Sequence, residues 1–131
     1  MNRKSLTIGV FSLLFLCLAA CSASSTVRIN MVGMNYGNTV DFTYQTFTGY
    51  EVNRLDVTAG ETISLTYDME INKGSLHLQV IAPNDTTVWE KMLLDSESDT
   101  VEFRVEQSGE YVLRIDADNA GGSMEAEWRV K

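Results

Sequence analysis

The sequence predicts an all-β chain, an antiparallel β-sandwich or jelly-roll-like domain preceded by a cleaved export signal. Three observations predict it. From Val27 onward apolar residues recur at every second position rather than at helical spacing; clusters of Gly and Asn punctuate these runs roughly every 8 to 12 residues; and no stretch demands a helix.

The opening run "VRINMV", residues 27 to 32, reads as a first strand. "TVDFTYQTF" then places Val40, Phe42 and Tyr44 on one face, Gly49 breaks it, and "YEVNRLDV" leads to a turn at Ala59 and Gly60. "ETISLTYDMEI" is the clearest case. Ile63, Leu65, Tyr67, Met69 and Ile71 share one face while Thr62, Ser64, Thr66, Asp68 and Glu70 share the other, as in a half-buried strand. "NKG" at 72–74 reads as a turn, after which Leu76, Leu78 and Val80 point inward until Pro83, Asn84 and Asp85 end the run. "TTVWEKMLL" has apolar residues on both parities and reads as a strand covered on both sides. Val101, Phe103 and Val105 alternate next, followed by a turn at Ser108 and Gly109. Two last runs, Tyr111 to Ala117 and Met124 to Val130, flank Asn119-Ala120-Gly121-Gly122 and read as a hairpin whose glycines permit positive φ. The total is about nine short strands, the spacing of a sandwich.

Residues 1–20 have the parts of a secretory signal: basic Arg3 and Lys4, an apolar run from Leu6 to Leu18, and small Ala19 and Ala20. The run is short for a bilayer core of roughly 30 Å. Leu18-Ala19-Ala20-Cys21 resembles the lipobox of bacterial lipoproteins. That resemblance implies cleavage before Cys21, diacylglyceryl transfer to its thiol, and a lipidated mature N-terminus on the extracytoplasmic face of a bacterial membrane. The competing reading is an ordinary signal with an incidental cysteine, against which a spare thiol in an exported chain is unusual. The domain organisation expected is therefore 1–20 signal peptide, 21–26 lipidated cysteine and short tether, and 27–131 sandwich domain. Cys17 and Cys21 are the only cysteines, so the domain's core has no disulfide to rely on.

The chain carries a net charge of −8. Removing residues 1–20 leaves eight Lys plus Arg against eighteen Asp plus Glu, or −10. Such a domain repels nucleic-acid phosphates and has no basic stripe to track a backbone, which excludes nucleic acid as the expected partner. Anionic headgroups repel it as well, so acyl chains and not charge would hold it at the membrane. The tether Ser22 to Thr26 reaches about 17 Å at most, which keeps the domain near that surface.

The stretches "VTAGETISLTY", "GSLHLQV" and "SGEYVLRID" are similar in rhythm to β-sandwiches of the pre-peptidase C-terminal type and to small bacterial envelope lipoproteins. The resemblance spans roughly residues 57 to 130 and implies a noncatalytic accessory or binding module. Where that family often places acidic residues before its L-x-L strand, this chain has Asn72-Lys73-Gly74-Ser75, a departure from the pattern on which a metal site would be carried over.

Few residues point to chemistry. His77, the single histidine, lies on the parity opposite Leu76 and Leu78 with no nucleophile or zinc spacing to accompany it. Paired carboxylates can hydrolyse glycosides, yet the many acidic residues at alternate positions also describe a solvated sheet face. Two acidic stretches are calcium candidates: "DADNAGGSMEAE", with Asp116, Asp118, Asn119 and Glu127, and "DSESD", with Asp95, Glu97 and Asp99. A strand turn and a solvated connection account for the same residues. Ca²⁺ is the one cofactor candidate, and otherwise none is expected. Tyr36, Phe47 and Tyr50 are candidates for a ligand-stacking platform, with filling of the core as the alternative role. The expectation is a noncatalytic binding or protein-interaction module whose partners are the membrane, through Cys21, and an envelope protein or polymer. The alternatives are a small envelope hydrolase using carboxylates and a calcium-binding structural lipoprotein.

Overall fold

The computed structural model describes residues 25–131; the signal, Cys21 and residues 22–24 of the tether lie outside them. Seven antiparallel strands make up the described chain, with no helix among the described residues: β1 (Val27–Ile29), β2 (Val32–Tyr36), β3 (Thr39–Val57), β4 (Thr62–Ile81), β5 (Thr87–Leu93), β6 (Glu97–Arg104) and β7 (Gly109–Val130). Three of them run to 19, 20 and 22 residues, far beyond the usual five or six.

These three strands are long because each serves two layers. The first half of β3 pairs with the second half of β7, which pairs with the first half of β4. With β2 on one edge and β6 on the other, they form the first layer. The remaining halves of β3, β7 and β4, edged by β1 and β5, form the second. All three bend at one level. The register slips between Tyr44 and Phe47 and again before Gly49 on β3, and on either side of Lys73 on β4, opposite Asp118 to Gly122 of β7. Each slip changes the inward parity: Val40 and Tyr44 give way to Phe47, Asn53 and Val57; Ile63 to Met69 give way to Leu76, Leu78 and Val80; Tyr111 to Ala117 give way to Ala120, Met124, Ala126 and Trp128. A bulge turns a strand without ending it, and here it keeps the apolar side facing the core past the bend. The layers meet through Tyr67 and Trp89, whose ring centroids are 5.8 Å apart, and through Trp128 and Asn53.

The predicted sandwich is therefore present, and so is the alternation in every clear run. Four expectations are corrected. Asn72-Lys73-Gly74 is a bulge inside β4 rather than a turn, and the expected last hairpin is the single strand β7, its two halves facing each other across the core. Gly49 likewise bends β3 without ending it, whereas "VRINMV" divides between β1 and β2, so three joins and one division turn the expected nine strands into seven. "TTVWEKMLL" is an edge strand of which only Leu93 is buried, not a strand covered on both sides.

Glycine makes the bend. A Cβ on Gly122 would lie 2.0 Å from the Glu70 carbonyl oxygen, and one on Gly74 would lie 2.2 Å from that of Asn119. Backbone from adjacent strands can approach that closely only where no side chain intervenes.

Tyr44 sits in the core beside Phe47, with ring centroids 5.7 Å apart, and its hydroxyl has no partner among the described residues. Burial pushes its ionisation up to about 12, and burial first and then Glu97 push Tyr67 to about 12 as well. An unfolded tyrosine ionises near 10. Between these values the folded chain holds more protons, so stability is fully present below about pH 10 and is lost as pH rises towards 12. Tyr44→Phe removes an orphaned hydroxyl. It is expected to raise stability at neutral pH by about 1 kcal/mol and to flatten the alkaline decline, as read by urea denaturation at several pH values. A less stable Tyr44→Phe chain would mean that the hydroxyl is satisfied.

Candidate binding surfaces

The sequence candidates are not brought together. Phe47 is fully buried, a correction to its place among the ligand-stacking rings: the bulge after Tyr44 turns it into the core. Tyr36 and Tyr50 are exposed but lie on the outer faces of opposite layers, so the three rings form no common platform.

Asp116 receives a bidentate set of hydrogen bonds from Arg114 at 2.9 to 3.1 Å, and Glu127 pairs with Arg129. Asp118 and Asn119 occupy the bend of β7, where the Asn119 N–H donates to Thr48 Oγ1. Glu97 lies 3.4 Å from Lys91 and accepts from the Tyr67 hydroxyl, while Asp99 accepts from the Thr100 N–H and Asp95 lies between β5 and β6. Among the described residues no three His, Cys, Asp or Glu side chains stand close enough to share a metal ion.

The outer face of the second layer is satisfied by its own charges. Arg114 lies 4.3 Å over the Tyr50 ring while bonded to Asp116, and these hydrogen bonds hold its guanidinium above its ordinary value. His77 Nε2 lies within hydrogen-bond distance, 3.0 Å, of Glu90 on the neighbouring strand.

The first layer's outer face differs. Asp41, Glu125 and Asp68 are register partners in succession across β3, β7 and β4, which sets three carboxylates abreast. Like charges directly opposite one another are unfavourable in a sheet. Asp68 accepts from Ser98, whereas Asp41 and Glu125 have no ion pair among the described residues.

Beside that row runs β2, "VGMNY", a strand inverted in polarity. Val32, Met34 and Tyr36 face outward, 75%, 53% and 81% exposed, and Asn35 faces inward. Two causes fix this orientation. A Cβ on Gly33 would fall 2.0 Å from the Asp41 carbonyl oxygen, so no side chain fits there. Asn35 meanwhile joins a polar network. Its Nδ2 donates to the Val52 carbonyl (2.8 Å) and to Glu51, and its Oδ1 accepts from Asn53, which also donates to the Gly37 carbonyl and accepts from Trp128 Nε1 (2.7 Å). Glu51 is held in turn by Arg28 of β1 at 2.7 Å. Buried polar groups with partners of this kind specify one arrangement of the strands that carry them.

No family model and no curated protein matches the chain. Solved structures do. A periplasmic inhibitor of g-type lysozyme from Aeromonas hydrophila aligns at 14% identity and a TM-score of 0.50, covering 79% of this chain and 98% of its own. The pre-peptidase C-terminal domain of a Bacillus anthracis collagenase aligns at 15% and 0.50, covering 75% and 91%. A carbohydrate-binding module of the CBM4 type aligns at 10% and 0.52, covering 85% and 80%. What is shared is the β-sandwich fold. The rhythm that resembles the pre-peptidase type thus has a structural counterpart, at an identity that carries fold and not residue roles.

The outward stripe of β2 escaped the sequence reading, which ran "VRINMV" as one strand. Its signal was the flanking of Gly33 and Asn35 by large apolar residues. Alternation alone would bury Val32, Met34 and Tyr36.

Proposed function

We propose that this chain is a noncatalytic binding module of the bacterial cell envelope, held at the membrane by lipidated Cys21, which presents a sheet face to another envelope protein. The observation that carries the reading is the inverted strand β2. Three exposed apolar side chains in alternation are a contact surface waiting for a cover, because an edge strand with such a stripe associates readily. The same fold serves a periplasmic lysozyme inhibitor and a carbohydrate-binding module, which supports a binding role. Protein is favoured over glycan because Tyr36 and Tyr50 do not share a face on which sugars could stack.

Hydrolysis by carboxylates has less support. A cleft of about 280 Å³ at the β5 and β6 side is lined by one carboxylate, Glu106, with Arg104 and apolar Phe103, Val105 and Ala82, and a more open one of about 320 Å³ between β5 and β6 has Asp95 and Glu97, the latter 3.4 Å from Lys91. Glu102 is held below its ordinary value by its hydrogen bond and charge pairing with Lys131, the opposite of what a general acid needs.

Crosslinking capture from intact cells, comparing the wild-type chain with Cys21→Ser, tests the reading. Recovery of one envelope protein by the anchored form alone is expected. A Cys21→Ser chain that stays membrane-bound would defeat the anchor, and an anchored chain that recovers nothing would defeat the binding role.

A further inference from the structure

We propose that β2 is a strand-addition site, at which an extended segment of a partner protein bearing lysine or arginine pairs with the open edge and reaches past Met34 towards Asp41, the near end of the carboxylate row. The inference rests on the binding-module reading and gives it a surface and a partner chemistry.

A strand at the edge of a sheet turns part of its backbone hydrogen-bonding groups away from its neighbour, and folded proteins usually guard such edges with charge or proline. The edges of this sandwich are guarded unequally. β6 carries Glu97, Asp99, Glu102 and Arg104, and β5 carries Glu90 and Lys91. β2 pairs only with β3 and carries neither a charged residue nor a proline. The network through Asn35 and Asn53 holds it in place, so its open side is a prepared template.

Charge selects the occupant. Met34 is the register partner of Asp41, Asp41 of Glu125, and Glu125 of Asp68, so the apolar stripe borders directly on the carboxylate row. At the usual spacing of about 4.8 Å between strands, a segment paired with the open edge of β2 lies about 10 Å from β3 and about 14 Å from β7, so a lysine or arginine on its outward face extends over Met34 to Asp41, while Glu125 behind it adds to the negative field that draws the cation. A second copy would bring a second carboxylate row to the same surface, and the net charge of −8 opposes it further. Anionic lipid headgroups are repelled on the same ground. Main-chain pairing would supply affinity, and the apolar and acidic side chains would supply choice of partner.

The test places a benzophenone-bearing phenylalanine analogue at position 34 of the full chain, or at position 92 on β5, where Met92 is equally exposed. Crosslinks formed in intact cells are mapped by mass spectrometry. The expected result is an adduct from position 34, and not from 92, to a partner segment with basic residues. That segment, made as a synthetic peptide, should bind the full chain about fivefold more weakly when Asp41→Asn and Glu125→Gln are combined, the loss of one exposed ion pair and of the charge behind it. An adduct from 34 to a second copy of this chain or to lipid would overturn the inference, as would peptide binding indifferent to the two substitutions. Adducts from 92 alone would overturn it while leaving the binding module intact. Absence of adducts at both positions would count against both readings.

Discussion

Gly122→Ala is expected to lower stability by at least about 3 kcal/mol or to prevent folding, while Gly37→Ala lowers it by only about 1 kcal/mol. Both glycines have positive φ, +134° and +59°. The difference lies in what a methyl group would meet. At Gly122 it would fall 2.0 Å from the Glu70 carbonyl oxygen, part of the backbone of the adjacent strand, so β4 and β7 would have to separate where both bend. At Gly37 nothing lies within 4 Å, and only the conformational penalty remains. Urea denaturation of the two purified variants separates the cases, with a change in midpoint at constant slope reporting stability. A Gly122→Ala chain within about 1 kcal/mol of wild type would mean that the strands do not approach each other at the bend as described.

Asn53→Leu is expected to cost about 3 kcal/mol despite adding apolar volume to a buried position. Asn53 is 5% exposed and uses both ends of its amide: Nδ2 donates to Asn35 and to the Gly37 carbonyl, and Oδ1 accepts from Trp128 Nε1. Leucine leaves the indole N–H without an acceptor and two oxygens without a donor. Each orphaned buried group costs roughly 1 to 3 kcal/mol, discounted here because Asn35 is only partly buried and Gly37 is exposed. The loss should be accompanied by faster amide exchange in β2, because Asn35 is that strand's polar tie to the core. A loss under about 1 kcal/mol, with β2 exchange unchanged, would show that the network does not position the strand.

How much of this was readable without coordinates depends on which physical rule each segment obeys. Ile63 to Met69, Leu76 to Val80 and Tyr111 to Ala117 follow period-two burial, and the structure keeps every inward assignment. The bends were misread because a bulge and a turn draw on the same residues. Gly74, Asn119 and Gly122 supply positive φ in either case, and a change of parity looks alike whether the chain reverses or continues. Only the pairing partners decide, and those are far away in sequence: Gly122 lies against Tyr44 and Ile71. β2 was hidden for the opposite reason. Its local pattern is clear but its polarity is inverted, since Gly33 must clear the β3 backbone and Asn35 is drawn inward by Asn53. A strand that breaks the burial rule while its neighbours obey it marks a place where a surface serves something other than folding.

Cys21 and residues 22–24 of the tether lie outside the described residues, so the reading of residues 18–21 stays with cell fractionation. The surface itself can be tested without knowing the partner in advance. Capture by crosslinking from intact cells should be run with the wild-type chain beside one carrying Val32→Lys and Met34→Lys, positions whose exposure allows the fold to survive. The expected result is a partner held by the wild type and lost by the double variant, with the two chains unfolding at the same urea midpoint. Equal capture by both would contradict the assignment of binding to β2.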